Sequence, residues 1–164
     1  MRVARKGSSF ESFIRTSLID YCVEYRIPAY VRREYQNIPN FIGCDITVDS
    51  PYPSWHIAIE CKSRVPAKRY NFAKMFPHNQ FERINEYLQL SGRRGFLAIQ
   101  VHKRPKNKVY VIKWHDLDEL YARGQPSFRM FDPSELPRPV NKDEVGAREL
   151  VENGDGLQNW NEVL

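Results

Sequence analysis

The middle of the chain reads Trp55-His56-Ile57-Ala58-Ile59-Glu60-Cys61-Lys62, and this stretch decides the predicted fold. Apolar residues occupy every odd position, whereas two of the even positions carry Glu60 and Lys62. Because alternate residues of a strand point to opposite faces, the alternation predicts a strand over 55–62. Glu60 and Lys62 are expected to project side by side from one of its faces.

A second predicted strand, over 41–49, carries Asp45. The turn-forming stretch Ser50-Pro51-Tyr52-Pro53 separates the two strands, so we expect them to pair as a hairpin. That pairing would bring Asp45 beside Glu60 and Lys62. Two carboxylates and one ammonium group would then converge at one place.

These three side chains are typical of a magnesium-dependent nuclease. Mg²⁺ prefers carboxylate oxygens and is usually held by one or two acids together with substrate phosphate. Bound metal orients and acidifies the attacking water, and Lys62 can position the nucleophile or offset the charge that develops. The pattern therefore predicts DNA cleavage without a covalent enzyme intermediate.

A structural interpretation of the same residues is also open, because an acid followed by Glu-x-Lys occurs in many proteins. In that interpretation Asp45 is a turn residue at a strand end. Glu60 and Lys62 would form a solvated ion pair on an exposed face of the sheet.

An amphipathic helix is predicted near the N-terminus, over about 9–26, because Phe10, Ile14 and Leu18 recur at helical spacing. Ser8 or Ser9 could cap it. Glu11 would fall in the first turn, where an acid complements the helix dipole. Alternatively, Glu11 is a third carboxylate at the metal site, carried by a helix that packs beside the strands.

Further motifs follow one another in a fixed order along the chain. They are Arg5-Lys6-Gly7 with Glu11, Arg32-Arg33, Asp45, Ile59-Glu60-Cys61-Lys62-Ser63, Gln80, and Gly95-Phe96-Leu97-Ala98-Ile99. From about residue 5 to residue 114, this order resembles the archaeal-type (Hjc-like) Holliday junction resolvases of the PD-(D/E)xK nuclease superfamily. One departure is Cys44, which stands where the superfamily motif has its proline.

The resemblance implies a homodimeric, Mg²⁺-dependent endonuclease that cuts four-way DNA junctions symmetrically, with Mn²⁺ expected to substitute. Glu11, Asp45, Glu60 and Lys62 match the catalytic positions of the family, and the three acids match its metal ligands. The branched DNA is expected to contact a set of mostly basic residues. They are Arg5, Lys6, Arg32, Arg33, Ser63, Arg64, Lys68, Arg69 and Gln80.

The fold class is predicted to be α/β, with a restriction-endonuclease-like αβββαβ core whose mixed central sheet is flanked by helices. The predicted strands are 29–35, 41–49, 55–62, 95–102 and 108–113, and the helices are 9–26, 78–91 and 115–122. Residues 1–124 would form the nuclease domain. Residues 125–164 would be a Pro/Gly-rich acidic tail, packed on the body or on a partner subunit, with one short helix possible at 141–152.

The charge distribution agrees with a DNA-binding protein. From Asp132 onward the chain has eight acidic and three basic residues, so the part before Asp132 carries a net +10, against +5 for the whole chain. A basic body suits contact with phosphates. An ordinary soluble surface with scattered lysines would have a similar composition.

The loop from Arg64 to Lys74 interleaves basic residues with Tyr70 and Phe72. It directly follows the predicted catalytic strand. A mobile arm here could clamp phosphates or wedge an aromatic ring into a branch point. Alternatively, the loop is an exposed linker whose aromatic rings cover the next helix.

Cysteine use and hydropathy indicate a cytoplasmic protein. The three cysteines form no C-x-x-C pair and lie in apolar patterns, so we expect buried, reduced thiols. The four histidines lack the spacing of zinc ligands. We see neither a signal peptide nor a run of eighteen apolar residues, so no membrane association is expected.

Three other functions compete with junction cleavage. Another PD-(D/E)xK nuclease, of the restriction or repair type, would cut duplex or branched DNA with the same residues. A non-catalytic DNA-binding module would have no need of three acids near phosphate. A structural interaction protein would show no salt-sensitive DNA binding.

Overall fold

The computed structural model describes residues 6–34 and 43–164, with side chains from Ser9 onward. The helices in these residues are α1 (Lys6–Glu24), α2 (Phe72–Met75), α3 (Gln80–Ser91), α4 (Trp114–Ala122) and α5 (Trp160–Val163). The strands are β1 (Tyr30–Arg33), β2 (Ile46–Asp49), β3 (Ile57–Arg64), β4 (Tyr70–Asn71), β5 (Arg94–Val101), β6 (Lys108–Lys113), β7 (Ser127–Phe131), β8 (Glu144–Gly146) and β9 (Arg148–Leu150). Single 3₁₀ turns occur at Pro53–Trp55 and Pro133–Glu135.

Six strands form the central sheet, in the order β1-β2-β3-β5-β6-β9. In this sheet β3 and β5 run parallel, and the other neighbours are antiparallel. A smaller sheet joins β4, β7 and β8. Because helices cover both faces of the central sheet, the protein has the mixed α/β architecture that the sequence predicts.

The predicted hairpin of the second and third strands is present. Ile46 pairs with Ile59 and Val48 pairs with Ile57 in antiparallel register. Arg93 holds the end of this hairpin, because its guanidinium donates to the Val48 carbonyl at 2.8 Å and forms an ion pair with Asp49.

Each face of the central sheet has its own hydrophobic core. On the face covered by α1 and α5, here called the α1 face, Ile57 and Ile59 of β3 pack with Phe96 of β5. On the opposite face, covered by α2, α3 and α4 and here called the α3 face, Ala58 packs with Leu97. The predicted alternation is therefore confirmed from Ile57 onward, although β3 spans Ile57–Arg64 and Trp55 lies in the preceding 3₁₀ turn.

The first helix begins earlier than predicted. It starts at Lys6 and ends at Glu24, so Ser8 and Ser9 lie within the helix and cannot cap it. Glu11 consequently lies in the second turn of α1 rather than in the first. Apolar spacing locates the body of a helix well but its ends poorly, because terminal turns depend on local hydrogen bonding.

The predicted helix 78–91 begins two residues late, at Gln80. His78 and Asn79 have left-handed backbone conformations, with φ of 57° and 58°, and cannot belong to the helix. A separate short helix, α2, precedes this turn. The turn places Gln80 at the first position of α3.

The predicted short helix at 141–152 is wrong, since β8 and β9 occupy that segment. Strand β9 pairs with β6 at the edge of the central sheet, and β7 pairs with both β4 and β8. Strands of three residues are too short to produce a recognisable period in the sequence. The end of the nuclease domain at residue 124 stays a prediction. Residues after it nevertheless form strands that join the central sheet and the smaller sheet.

Arginines neutralise part of the acidic charge of the C-terminal segment. Arg129 donates to both carboxylate oxygens of Asp143, at 3.0 and 2.8 Å. Arg138 forms an ion pair with Glu144 at 2.5 Å. Some of the acids of the predicted acidic tail therefore form ion pairs within this segment.

The expectations drawn from composition can also be compared with the structure. Cys22, Cys44 and Cys61 are buried and unpaired, as predicted. None of the helices in residues 6–34 and 43–164 is long and apolar enough to cross a membrane. The cytoplasmic location stays a prediction.

We predict that Trp160→Ala lowers the free energy of unfolding by about 3–5 kcal/mol. Trp160 is fully buried in the core of the α1 face, and its indole N–H donates to the Ser17 hydroxyl at 3.1 Å. Urea denaturation measures the effect, with Leu136→Ala as the control because Leu136 is exposed. An unchanged midpoint for Trp160→Ala would mean that the C-terminal segment does not support the body.

Candidate active site

The candidate site lies where β2 and β3 separate. Their pairing covers 46–48 and 57–59, whereas β3 continues to Arg64. Beyond the pairing, the backbone N–H of Cys61 donates to Asp45 Oδ2 at 2.8 Å. A buried N–H group needs a partner, so the Asp45 carboxylate takes the place that a strand carbonyl would otherwise occupy.

Asp45 and Glu60 form a buried carboxyl pair. Extending the register of the hairpin by one residue sets them opposite each other. Asp45 is only 6% exposed and Glu60 only 2% exposed. This burial contradicts the interpretation of Glu60 as part of a solvated surface ion pair. Carboxylates are rarely buried together, because each charge disfavours the other.

Burial and mutual repulsion alter the protonation of both acids. Loss of hydration raises the pKa of Glu60 well above its ordinary value, and the neighbouring charge of Asp45 raises it further. Burial also raises the pKa of Asp45, although the hydrogen bond from Cys61 N–H opposes this change. The two groups titrate as a pair, and the pair retains a proton to higher pH than two separate acids would.

Lys62 and Gln80 approach Glu60 from the α3 face. Lys62 Nζ lies 3.8 Å from Glu60 Oε1 and donates to Gln80 Oε1 at 2.7 Å. The Gln80 amide donates to Glu60 Oε1 at 3.2 Å, so it links both charged groups. The other oxygen, Glu60 Oε2, is buried, and no N–H or hydroxyl group of residues 6–34 or 43–164 donates to it.

Glu11 reaches the same region from α1. Arg33 Nε donates to Glu11 Oε2 at 2.9 Å, and the second contact of this ion pair is 2.6 Å. Burial raises the pKa of Glu11, and so does the charge of Asp45, while Arg33 and Lys62 lower it. Glu11 is therefore close enough to Asp45 and Lys62 to interact electrostatically, but Arg33 holds its carboxylate.

The donor groups fit a hard divalent cation only in part. Among the described residues, no three His, Cys, Asp or Glu side chains are placed together so that they could hold a metal ion. Asp45 and Glu60 supply two carboxylates, and Glu60 Oε2 lacks a donor, as expected of an oxygen that ligates a cation. A pair of acids completed by water and phosphate suits Mg²⁺. Glu11 as a third ligand stays a prediction.

The residues predicted to contact DNA are only partly in exposed positions. Arg32 is 44% exposed but pairs with Asp49 and Glu34, at 3.3 and 3.6 Å. Lys68 is exposed in the loop after β3. Arg5 lies outside the described residues, and for Lys6 only its place at the start of α1 is described.

The remaining predicted contacts have partners within the protein. Ser63 donates to Gln100 Oε1 at 3.2 Å, and Arg64 donates to backbone carbonyls at 2.8 and 3.4 Å. Arg69 pairs with Asp143 at 3.4 Å. Any contact that these side chains make with DNA would have to compete with those partners.

The predicted aromatic wedge in the loop after β3 is wrong. Tyr70 and Phe72 are 7% and 3% exposed and belong to the core of the α3 face. Tyr70 forms part of β4 and Phe72 begins α2, so the aromatic rings cover the helices, as in the alternative interpretation. Lys68, Arg69 and Lys74 of this loop remain exposed, whereas Arg64 is half-buried.

Two features of the site were missed by sequence reasoning. Arg33 was predicted to contact DNA, but in the structure it holds Glu11. The backbone N–H of Cys61 fixes Asp45, and no sequence pattern reveals a backbone donor. Glu11 lies on a helix and Arg33 on a strand, far apart in the sequence. Their ion pair could be predicted only once the packing of α1 against β1 was known.

Comparison with known proteins gives little beyond this geometry. No protein-family model matches the chain, and no curated protein sequence does. Among solved structures, the chain is similar to Hjc of Archaeoglobus fulgidus, a Holliday junction resolvase from an archaeal hyperthermophile. The identity is 16% and the TM-score 0.45, and the match covers 73% of this chain and 88% of that one. The fold and site thus define a mixed α/β protein with a buried carboxyl pair beside a lysine.

We predict that Glu60→Gln makes the metal-free protein more resistant to urea at neutral pH. Because the pKa of Glu60 is raised above its ordinary value of 4.5, the folded protein binds more protons than the unfolded chain at pH values between the two pKa values. Stability therefore falls as pH rises through this window. Glu60→Gln should weaken that fall.

The measurement is the urea midpoint at about pH 5 and about pH 8 in EDTA, on either side of neutrality. Glu86→Gln is the matched control, since Glu86 is exposed on α3. If Glu60→Gln unfolds at a lower urea concentration than the wild type at pH 8, the buried charge of Glu60 does not destabilise the folded protein.

Proposed function

We propose that this protein is a metal-dependent endonuclease that hydrolyses phosphodiester bonds in DNA. The observation that carries the proposal is the buried pair of Asp45 and Glu60, with the Lys62 ammonium 3.8 Å from Glu60 Oε1 and with Glu60 Oε2 lacking a donor. Most buried polar side-chain atoms have a hydrogen-bond partner, so an unpaired carboxylate oxygen is unusual. An oxygen that binds a cation would appear in this way.

In the proposed mechanism, Asp45 and Glu60 would hold one Mg²⁺, for which Mn²⁺ would substitute. The ion, when bound, orients and acidifies the attacking water and stabilises the charge of the transition state. The Cys61 N–H keeps the Asp45 carboxylate directed into the site. Glu11, which Arg33 orients, would complete the acidic side of the site.

Lys62 provides the positive charge of the site. Its ammonium is held by Gln80 and lies over the Phe76 ring, 5.3 Å from the ring centroid. In this position it can orient the nucleophile or offset charge on the phosphate oxygens. Lysine suits this role because its ammonium is a compact point charge. Gln80 is a positioning residue, since it acts through Lys62 and Glu60.

The positive net charge of the chain before Asp132 supports DNA as the substrate. The net charge of +10 before Asp132 would attract phosphates, and Lys68 and Arg32 are exposed on that part of the chain. Such binding should weaken as salt increases, because phosphate contacts release counterions.

The order of motifs over residues 5–114 supports a four-way junction as the substrate. That order resembles the order in the Hjc-like resolvases. The resemblance implies a restriction-endonuclease-like core and a homodimer. Two sites related by a twofold axis would place paired nicks in opposing strands. The carboxyl pair itself would also serve a nuclease that cuts duplex DNA, so the substrate has to be tested separately from the chemistry.

We predict that the wild type nicks a labelled four-way junction in opposing strands with Mg²⁺, that EDTA abolishes the reaction, and that a linear duplex of matched sequence stays intact. Asp45→Asn, Glu60→Gln and Lys62→Ala should bind the junction but leave it uncut, because they remove the metal ligands or the positive charge. Glu86→Gln is the control for exchange of an acid for an amide at a distant surface position.

Each other result of this assay has a definite meaning. Cutting of the duplex would identify another nuclease of the superfamily. Loss of junction binding in all three variants would show that these residues support the structure instead. Absence of any cutting by the wild type would contradict the proposed reaction.

We also predict that Gln80→Ala lowers the cleavage rate about 10–100-fold, the usual effect of removing a group that orients a metal ligand. Junction binding should change little, since Gln80 contacts Glu60 and Lys62 within the protein. Single-turnover cleavage and a binding assay separate the two effects. Gln89→Ala, at an exposed position of α3, is the matched control. Equal loss of binding and rate would argue for a direct DNA contact.

A further inference from the structure

A cavity of about 340 Å³ lies beside the loop that follows β3. The loop, the β5–β6 hairpin and the C-terminal segment form its walls. Its lining includes Lys68, Tyr70, Lys103, Tyr110, Phe131 and Glu149. This volume is at the lower end of the range of small-ligand sites.

The register of the central sheet fixes where this cavity lies relative to Lys62. Lys62 pairs with Ile99, Ile99 pairs with Tyr110, and Tyr110 pairs with Glu149, so the four residues form one row across β3, β5, β6 and β9. Directly paired residues have side chains on the same face. Since neighbouring strands are about 4.8 Å apart, Tyr110 lies about 10 Å and Glu149 about 14 Å from Lys62 along this row.

The charged groups of the cavity are not matched to one another. Within the described part of the chain, Lys68, Lys103 and Glu149 form no ion pair, and Lys103 Nζ instead lies over the Tyr110 ring, 5.9 Å from its centroid. A second acid, Asp132, also lines the cavity, and its carboxylate accepts a hydrogen bond from Ser134 N. Cations, acids and aromatic surface therefore face the same space.

A nucleotide is the ligand class that matches this combination. Its phosphate would meet the lysines, its ring would lie on aromatic surface, and an exocyclic amino group would donate to a carboxylate. A simple anion would be repelled by the two acids, and an apolar molecule would leave all the charges unpaired. The cavity accordingly fits a group that carries negative charge at one end and hydrogen-bond donors at the other.

We propose that the cavity binds one unstacked nucleotide of the DNA strand next to the cut site. Lys68 and Lys103 bind its phosphate, Tyr110 contacts the base, and Glu149 accepts from the exocyclic amino group. Cytosine, adenine and guanine carry such a group and thymine does not, so thymine is disfavoured. The distance of about 10–14 Å corresponds to about three or four stacked nucleotides from the scissile phosphate. This inference rests on the proposed nuclease function.

The first test is a titration of the full-length, isotope-labelled protein with dCMP, followed by NMR. We expect shifts around Lys103, Tyr110 and Glu149, with binding about tenfold weaker for TMP or for Glu149→Gln, the loss expected of one charge-assisted hydrogen bond. Lys103→Ala should weaken binding similarly. Lys106→Ala, which removes the same charge from the same hairpin outside the cavity, should not. Shifts elsewhere, or equal binding of dCMP and TMP, would overturn the inference.

A second test uses four-way junctions with 2-aminopurine at successive positions beside the mapped cut, bound to Glu60→Gln. Unstacking should raise the fluorescence at one position about three or four nucleotides from the cut. Adding Lys103→Ala to the Glu60→Gln protein should abolish this increase in fluorescence. Adding Lys106→Ala instead should leave it unchanged. Normal cutting without a variant-sensitive increase refutes the cavity assignment and leaves the nuclease proposal intact. Binding of dCMP by a protein that cuts no DNA refutes the nuclease proposal but supports the nucleotide site.

Discussion

The hydrogen bond from Cys61 N–H to Asp45 Oδ2 is the contact on which the candidate site depends. Where β2 and β3 separate, a backbone donor inside the protein would lose its partner, and an orphaned buried N–H costs stability. A carboxylate satisfies that donor and is thereby fixed opposite Glu60. Helices α1 and α3 then bring Glu11 and Gln80 to the pair from opposite faces of the sheet.

Concentrating acids at one place works against the stability of the fold. Burial raises the pKa of Glu11, Asp45 and Glu60, so each is costly to ionise in the folded protein. The cores on both faces of β3 must offset that cost, and they begin one residue from Glu60 at Ile59 and two residues away at Ala58. A conflict between local electrostatics and a well-packed surrounding structure is typical of functional sites.

The sequence was sufficient for the parts of the site that lie on one hairpin. Alternation along β3 and the turn before it placed Asp45 and Glu60 together, because pairing of adjacent strands follows from local pattern. Gln80 required the left-handed residues His78 and Asn79, whose conformation no periodicity reveals. The short strands after residue 126 were missed for a related reason, since they exist through pairing with β4 and β6 rather than through their own pattern.

Those late strands connect the end of the chain to the surroundings of the site. The loop after β3 leads into β4, and β4 pairs with β7, so the position of the loop depends on residues some sixty positions further along the chain. The contact of Arg69 with Asp143 is a second connection between the loop and the C-terminal segment. If phosphates next to the proposed cut pass over this loop, the C-terminal segment would contribute to substrate contact without supplying a metal ligand. Chemistry would then reside on β2 and β3, and selection of the DNA would depend on how β4 and β7 hold the loop.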